Sequence, residues 1–169
     1  MTIPTHIEFQ EDLKQILLYS LLAVSPEEGC ALLLGKSLKI RHNQKANIYQ
    51  VQLIWPCCNV WEDKINNNFE STFLYEEMRQ KTLSKKNRFA LDPREQLFAQ
   101  KWARSKRLKV LGTAHSHPIN STIPSKIDIS CIFSPNLMII VNGENEMSGW
   151  WVKSPQDSNP KQIPLLNKN

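Results

Sequence analysis

Leu108-Lys109-Val110-Leu111-Gly112-Thr113-Ala114-His115-Ser116-His117-Pro118 is the stretch from which the rest of this 169-residue chain is best read. An apolar run ending in His-x-His predicts a buried strand, and because side chains alternate along a strand, both imidazoles face one side. Asp128 follows after a loop carrying Pro118 and Pro124, long enough for the chain to return a carboxylate to the same place. Two imidazoles and a carboxylate with room for a water make a catalytic-type zinc site, Zn2+ acidifying the water. Such chemistry also needs a separate carboxylate to carry the proton, and the hydroxyl of Ser125 is suited to stabilise an oxyanion on an attacked carbonyl.

Two plainer readings stand beside this one. Ser125-x-x-Asp128 is also a helix-capping pattern that needs no metal, and His115 alone could be a core histidine. Two histidines on one strand face together with a returning carboxylate favour the metal. Other His-x-His folds suit the chain less well. A (β/α)₈ barrel takes typically about 250 residues, a metallo-β-lactamase would place Asp-His where Pro118-Ile119-Asn120 stands, and a cupin would need a later histidine than His117.

Outward from this stretch the elements alternate irregularly. Leu13, Ile16, Leu17 and Leu21 predict one amphipathic helix over residues 8–22. After Ser25-Pro26, the run Glu28 to Gly35 predicts a short apolar strand with Glu27 and Glu28 at its mouth, either of which is a candidate for chemistry. Residues 36–45 read as a basic connection, Ile48 to Trp55 as a second strand ended by Pro56. Trp61 to Asn87 is the least regular part and reads as an insertion or flap. Asp92-Pro93 starts a helix whose Leu97, Phe98, Trp102 and Leu108 suit packing on a sheet. A short helix from Pro124 to about Phe133, a strand over Leu137 to Val141, a turn at Asn142-Gly143 and a strand over Met147 to Val152 complete the series. From Ser154 the chain reads as a tail draped loosely over the surface. Strands mixed with a few helices, without regular βαβ alternation, predict an α+β or three-layer mixed fold in one domain over residues 1–153, with 154–169 as a tail.

Apolar residues make up 41% of the chain, enough for a core and too many for a disordered polymer. No apolar run approaches the roughly 20 residues that span a bilayer, and the acidic N-terminus is unlike a signal peptide, so no membrane is expected and the expected compartment is the cytoplasm. Cys30, Cys57, Cys58 and Cys131 lack C-x-x-C spacing and read as free thiols. The net charge of +5 is concentrated between Arg79 and Lys109, where Asp92 and Glu95 are the only acids. Such a stripe is most simply a solvated helix face; a basic nucleic-acid-binding domain is the rival, unsupported by any aromatic-interleaved RNA motif.

His115-Ser116-His117-Pro118 followed by Pro124-Ser125-x-x-Asp128 resembles the signature of the JAMM metalloproteases, the catalytically competent branch of the MPN (Mov34/PAD-1-like) domain family. Pro26-Glu27-Glu28-Gly29-Cys30-Ala31-Leu32-Leu33-Leu34-Gly35 resembles the family's P-x-E-x-C-G-x-L-x-G strand, with Ala31 where glycine is usual. Asn59, the block Arg88-Phe89-x-x-Asp92-Pro93 and the strand containing Trp150-Trp151 agree more weakly. The resemblance implies an MPN fold, a cytidine-deaminase-like mixed β-sheet flanked by helices. It implies zinc held by His115, His117 and Asp128, Glu28 as general base then acid, and Ser125 as oxyanion donor. Ser116 would support the loop by hydrogen bonding. It further implies hydrolysis of an amide or isopeptide bond at the C-terminal tail of a ubiquitin-like, possibly sulfur-carrier-like, protein, with Trp61 to Asn87 as a candidate substrate flap. A catalytically silent MPN scaffold for protein assembly is the alternative within the family.

Overall fold

A computed structural model describes residues 3–10, 12–40, 43–62, 83–132 and 134–168. The His-x-His stretch is an interior strand, β4 (Lys109–His117), of an eight-stranded mixed sheet. The remaining elements are β1 (His6–Gln10), α1 (Leu13–Leu22), β2 (Cys30–Ile40), β3 (Asn43–Cys57), α2 (Pro93–Ser105), α3 (Lys126–Ser130), β5 (Asn136–Asn142), β6 (Met147–Val152), β7 (Lys161–Ile163) and β8 (Leu165–Lys168). Their order across the sheet is β7-β6-β5-β4-β2-β3-β1-β8. β4 lies antiparallel to β2, with Cys30 opposite His115, and parallel to β5, with Asn142 opposite His117.

Helices cover both faces, which is why the central strands read as continuous apolar runs. Along β5, Leu137, Ile139 and Val141 join Leu17, Leu18 and Leu21 of α1 in the main core, whereas Met138 and Ile140 pack on the other face with Ile129 and Ile132 around α3. On that second face α2 packs Ala99 and Ala103 against Leu32 and Leu34. Small residues let the helix lie close to the sheet, and Trp102 meets Trp55 with ring centroids 5.7 Å apart. Leu97 and Phe98, expected on this inner stripe, are instead 65% and 67% exposed. The start of α2 is as expected: Pro93 occupies the first turn and the Asp92 carboxylate accepts from Arg94 N at 2.8 Å.

Several boundaries differ from the sequence reading. Residues 8–22 are not one helix. Ile7 and Phe9 are fully buried and alternate with less buried neighbours, the period of a strand, and β1 pairs in parallel with both β3 and β8. The helix therefore starts at Leu13, and Leu18 rather than Ile16 faces inward. Residues 36–45 are largely strand. β2 and β3 continue as a polar ribbon, with Lys36 opposite Gln50 and Lys39 opposite Asn47. Pro56 stays within β3 opposite Ala31. Proline is tolerated there because β1 pairs with β3 only over Ile48 to Val51, leaving no neighbour on that side to receive an N–H.

The segment after Ser154 is not loosely draped. β7 pairs with β6 and β8 pairs with β1, and Pro164 alone separates them. One short run of chain thus pairs with strands at both ends of the sheet, and Ile163, 1% exposed, joins the main core. The proposed flap over Trp61 to Asn87 lies mostly outside the described residues, as does Phe133. Among the described residues no helix is long and apolar enough to cross a membrane.

Candidate metal centre

β4 delivers both imidazoles to the face covered by α2 and α3, while Ser116 between them turns toward α1. Asp128 arrives from the first turn of α3 and is buried. His115 Nε2 lies 3.0 Å from His117 Nε2 and 3.6 Å from Asp128 Oδ2, and His117 Nε2 lies 3.3 Å from the same oxygen. A tetrahedral cation about 2.0–2.1 Å from each donor would hold them roughly 3.3 Å apart. The three separations bracket that value.

The hydrogen bonds agree with a cation site. His117 Nδ1 donates to the carbonyl of Ser121 at 2.9 Å, so the ring proton is on Nδ1 and the Nε2 lone pair faces the cluster. Opposing it is a carboxylate oxygen. Burial disfavours the Asp128 charge, but the charges and hydrogen bonds of His115 and His117 outweigh burial and hold its pKa well below the usual range. Burial likewise lowers the pKa of His117, but the hydrogen bond and charge of Asp128 prevail and raise it. Burial dominates at His115, whose pKa falls, favouring the neutral ring that a metal requires. The His115 ring stacks on Phe89 with centroids 4.4 Å apart, and its Nδ1 has no hydrogen-bond partner among the described residues. The residues present fit a divalent ion of zinc's ligand preference. His115, His117 and Asp128 are the one such ligand cluster among the described residues.

Glu28 is buried at 3% exposure, whereas Glu27 is exposed. Its backbone is clamped on three sides. Glu28 N donates to Lys85 O at 2.7 Å, Asn59 Nδ2 donates to Glu28 O at 3.0 Å, and Gly29 N donates to Ser116 Oγ at 2.8 Å. Ser116 N returns a bond to Gly29 O at 3.0 Å, and its hydroxyl donates to Leu21 O at 3.2 Å. Ser116 thus ties β4, the end of α1 and the Glu28 segment together, rather than the loop it was expected to support. Gly29 must lack a side chain, since an added Cβ would lie 2.2 Å from Leu21 O. Burial raises the Glu28 pKa to about 7; His117 and Arg88 oppose the rise and Asp128 adds to it.

Ser125 and Asp128 form a reciprocal capping box, Ser125 N donating to Asp128 Oδ2 at 2.7 Å and Asp128 N to Ser125 Oγ at 3.1 Å. Capping and convergence on the histidines therefore coexist. The hydroxyl proton of Ser125 takes no part in the capping bond. A surface hollow of about 390 Å³ lined by Lys14, Leu18, Tyr19 and Leu165 lies on the α1 side and contains none of these groups.

The sequence brought His115, His117 and Asp128 into one group, as the structure does, and missed what orients them. The carbonyls of Ser121 and Lys85 carry no sequence signal, because every residue has one. Phe89 was legible only as part of a motif block, without its stacking role.

A family model described as prokaryotic homologs of the JAB domain matches residues 10–153. Comparison with curated proteins returns no significant match. Among solved structures, a protein from Desulfitobacterium hafniense is 21% identical, aligned over 96% of this chain and 93% of its own, with a TM-score of 0.70. One from Salinibacter ruber is 19% identical over 96% and 92%, with a TM-score of 0.58. A JAB1/MPN domain protein from Archaeoglobus fulgidus is 19% identical over 96% and 99%, with a TM-score of 0.48. For the first two the likeness is one of fold.

Proposed function

This chain belongs to the family of prokaryotic homologs of the JAB domain, and from that premise we propose that it is a zinc-dependent peptidase of the JAMM type. Its substrate is an amide or isopeptide bond at the C-terminal tail of a ubiquitin-like, sulfur-carrier-like protein. The observation that carries the reading is the convergence of His115, His117 and Asp128, with Glu28 buried within electrostatic reach of His117 and Asp128 at a pKa of about 7.

Zinc held by His115, His117 and Asp128 would supply a Lewis acid that acidifies a bound water. Glu28 does the proton work. Its carboxylate takes a proton from the attacking water as the oxygen bonds to the substrate carbonyl carbon, then returns it to the nitrogen as the C–N bond breaks. In the metal-free site burial holds its pKa at about 7, which suits a carboxyl that both takes and gives a proton. The Ser125 hydroxyl donates to the carbonyl oxygen as negative charge builds there. Asp128, kept ionised by its neighbours, offsets the charge of the metal.

The test pairs metal content with cleavage of a ubiquitin-like protein extended at its C-terminus. Stoichiometric zinc and cleavage abolished in Glu28→Gln and Asp128→Asn support the reading. Zinc-loaded protein with no turnover of any such fusion would assign the fold to assembly, as a silent scaffold. Undiminished cleavage by Glu28→Gln would overturn the mechanism.

A further inference from the structure

The loop between His117 and Pro124 carries one contact that orients a proposed metal ligand, the Ser121 carbonyl on His117 Nδ1. A carbonyl in a loop can hold an imidazole only if the loop itself is held. The β5–β6 hairpin does this at both ends. At the start of the loop, Gly143 in the hairpin turn lies so close that an added Cβ would sit 2.3 Å from Pro118 O. At the far end, Trp150 Nε1 donates to Thr122 O at 2.7 Å, and Thr122 Oγ1 lies 2.9 Å from Ser148 Oγ. The Trp150 and Ser121 contacts are made on consecutive carbonyls, so the indole N–H sets the plane of the peptide next to the one that holds His117.

Trp150 also reaches the other half of the centre. Its ring packs on the cluster of Ile132, Met138, Ile140 and Val152, to which Ile129 of α3 also belongs. The loop that orients His117 and the helix that brings Asp128 thus rest on one apolar cluster, the first through Trp150 and the second through Ile129.

We propose that Trp150 is a positioning residue of the metal centre, its indole N–H fixing the His117 ring through Thr122 and Ser121. This rests on the zinc reading given above, and the ring orientation can be measured without zinc.

Trp150→Phe keeps the aromatic packing and deletes the donor. In the metal-free variant, at a pH above the His117 transition seen in the same spectra, the long-range proton–nitrogen spectrum of His117 is expected to change. The single Nδ1–H tautomer of the wild type should give way to a mixture. Zinc affinity, measured by chelator competition, is expected to fall by up to about 10-fold, the low end of the effect of losing a ligand's own hydrogen-bond partner, because Trp150 acts one carbonyl further out. Thr122→Val should move both readouts in the same direction, and Thr122→Ser should restore them. Trp151→Phe, one residue along and facing the opposite core, is the control for generalised loosening: it should lower the unfolding midpoint and leave tautomer and affinity unchanged. A Trp150→Phe protein with wild-type tautomer and zinc affinity would overturn the proposal while leaving the zinc reading intact, as would equal losses in both tryptophan variants. If the wild type takes up no zinc, the zinc reading falls and the tautomer alone decides whether Trp150 holds the ring.

Discussion

Replacing Glu28 with glutamine is expected to stabilise the metal-free protein at alkaline pH while abolishing hydrolysis. The side chain is almost fully buried, and burial raises its pKa from an ordinary 4.5 to about 7. Between these values the folded protein holds a proton that the unfolded chain has released. The contribution of Glu28 to stability is therefore full below the unfolded pKa and is lost as pH rises through the folded one. At about 1.4 kcal/mol for each pH unit separating the two, the loss is about 3 kcal/mol once pH exceeds roughly 8. Glutamine has the same size and no charge to desolvate. The variant should match the wild type to within about 1 kcal/mol near pH 4 and exceed it by about 2–4 kcal/mol near pH 8.

Urea unfolding of both proteins from about pH 4 to 9, with a chelator present and equal slopes verified, reads this difference directly. Subtracting one protein from the other cancels the titration of groups that do not sense Glu28, and leaves that of Glu28 together with its coupling to His117 and Asp128. A stability difference that is flat across the range, or a variant that weakens relative to wild type as pH rises, would refute the reasoning. The confirming result would show that the proposed proton carrier destabilises the fold it serves, the expected signature of a group placed for chemistry.

Ser116→Ala removes the acceptor of Gly29 N and the donor to Leu21 O in a fully buried position. We expect a loss of about 2–4 kcal/mol, read as a fall in Tm of roughly 5–15 °C; a fall under about 2 °C would mean that other groups satisfy these atoms. Truncation after Lys153 removes β7, β8 and the buried Ile163 and exposes the edges of β6 and β1. It should lower the urea midpoint and increase light scattering on warming, and an unchanged midpoint would show that the two strands contribute nothing.

The sequence was legible where function is carried by side chains in a fixed register. His115 and His117 are two apart on a strand, so facing one way follows from the pleat, and Asp92-Pro93 announces its helix through a carboxylate cap and a missing N–H. It was illegible where structure depends on the backbone or on partners distant in sequence. β7 and β8 are three and four residues long, largely polar, and become strands only because the edges of β6 and β1 are waiting for them. The end of β2 over Lys36 to Lys39 is exposed on both faces and is held by its ladder with Asn47 to Gln50. Ile7 and Phe9 do alternate, but Leu13 to Leu21 offers a longer and stronger helical period that absorbs them. Leu97 and Phe98 invited an inward assignment that Ala99 and Ala103 occupy, because a close helix needs small residues against the sheet.

Asp128 shows why two readings that compete in sequence can hold together in three dimensions. As a helix cap it needs an oxygen near Ser125 N, and as a ligand it needs an oxygen near two imidazoles; Oδ2 meets both conditions, at 2.7 Å from the one and 3.3 and 3.6 Å from the others. A carboxylate oxygen has more than one lone pair, so the cap does not consume the ligand. The backbone N–H also favours the ionised form, which is the form a cation would require. The cap thus holds the carboxylate in place before any metal arrives, and the short α3 needs no other device to aim it. The Ser121 carbonyl does the same for His117. Each of these two proposed ligands is oriented by a main-chain group, so substitutions in the loop or in the first turn of α3 should weaken metal binding even when His115, His117 and Asp128 are all retained.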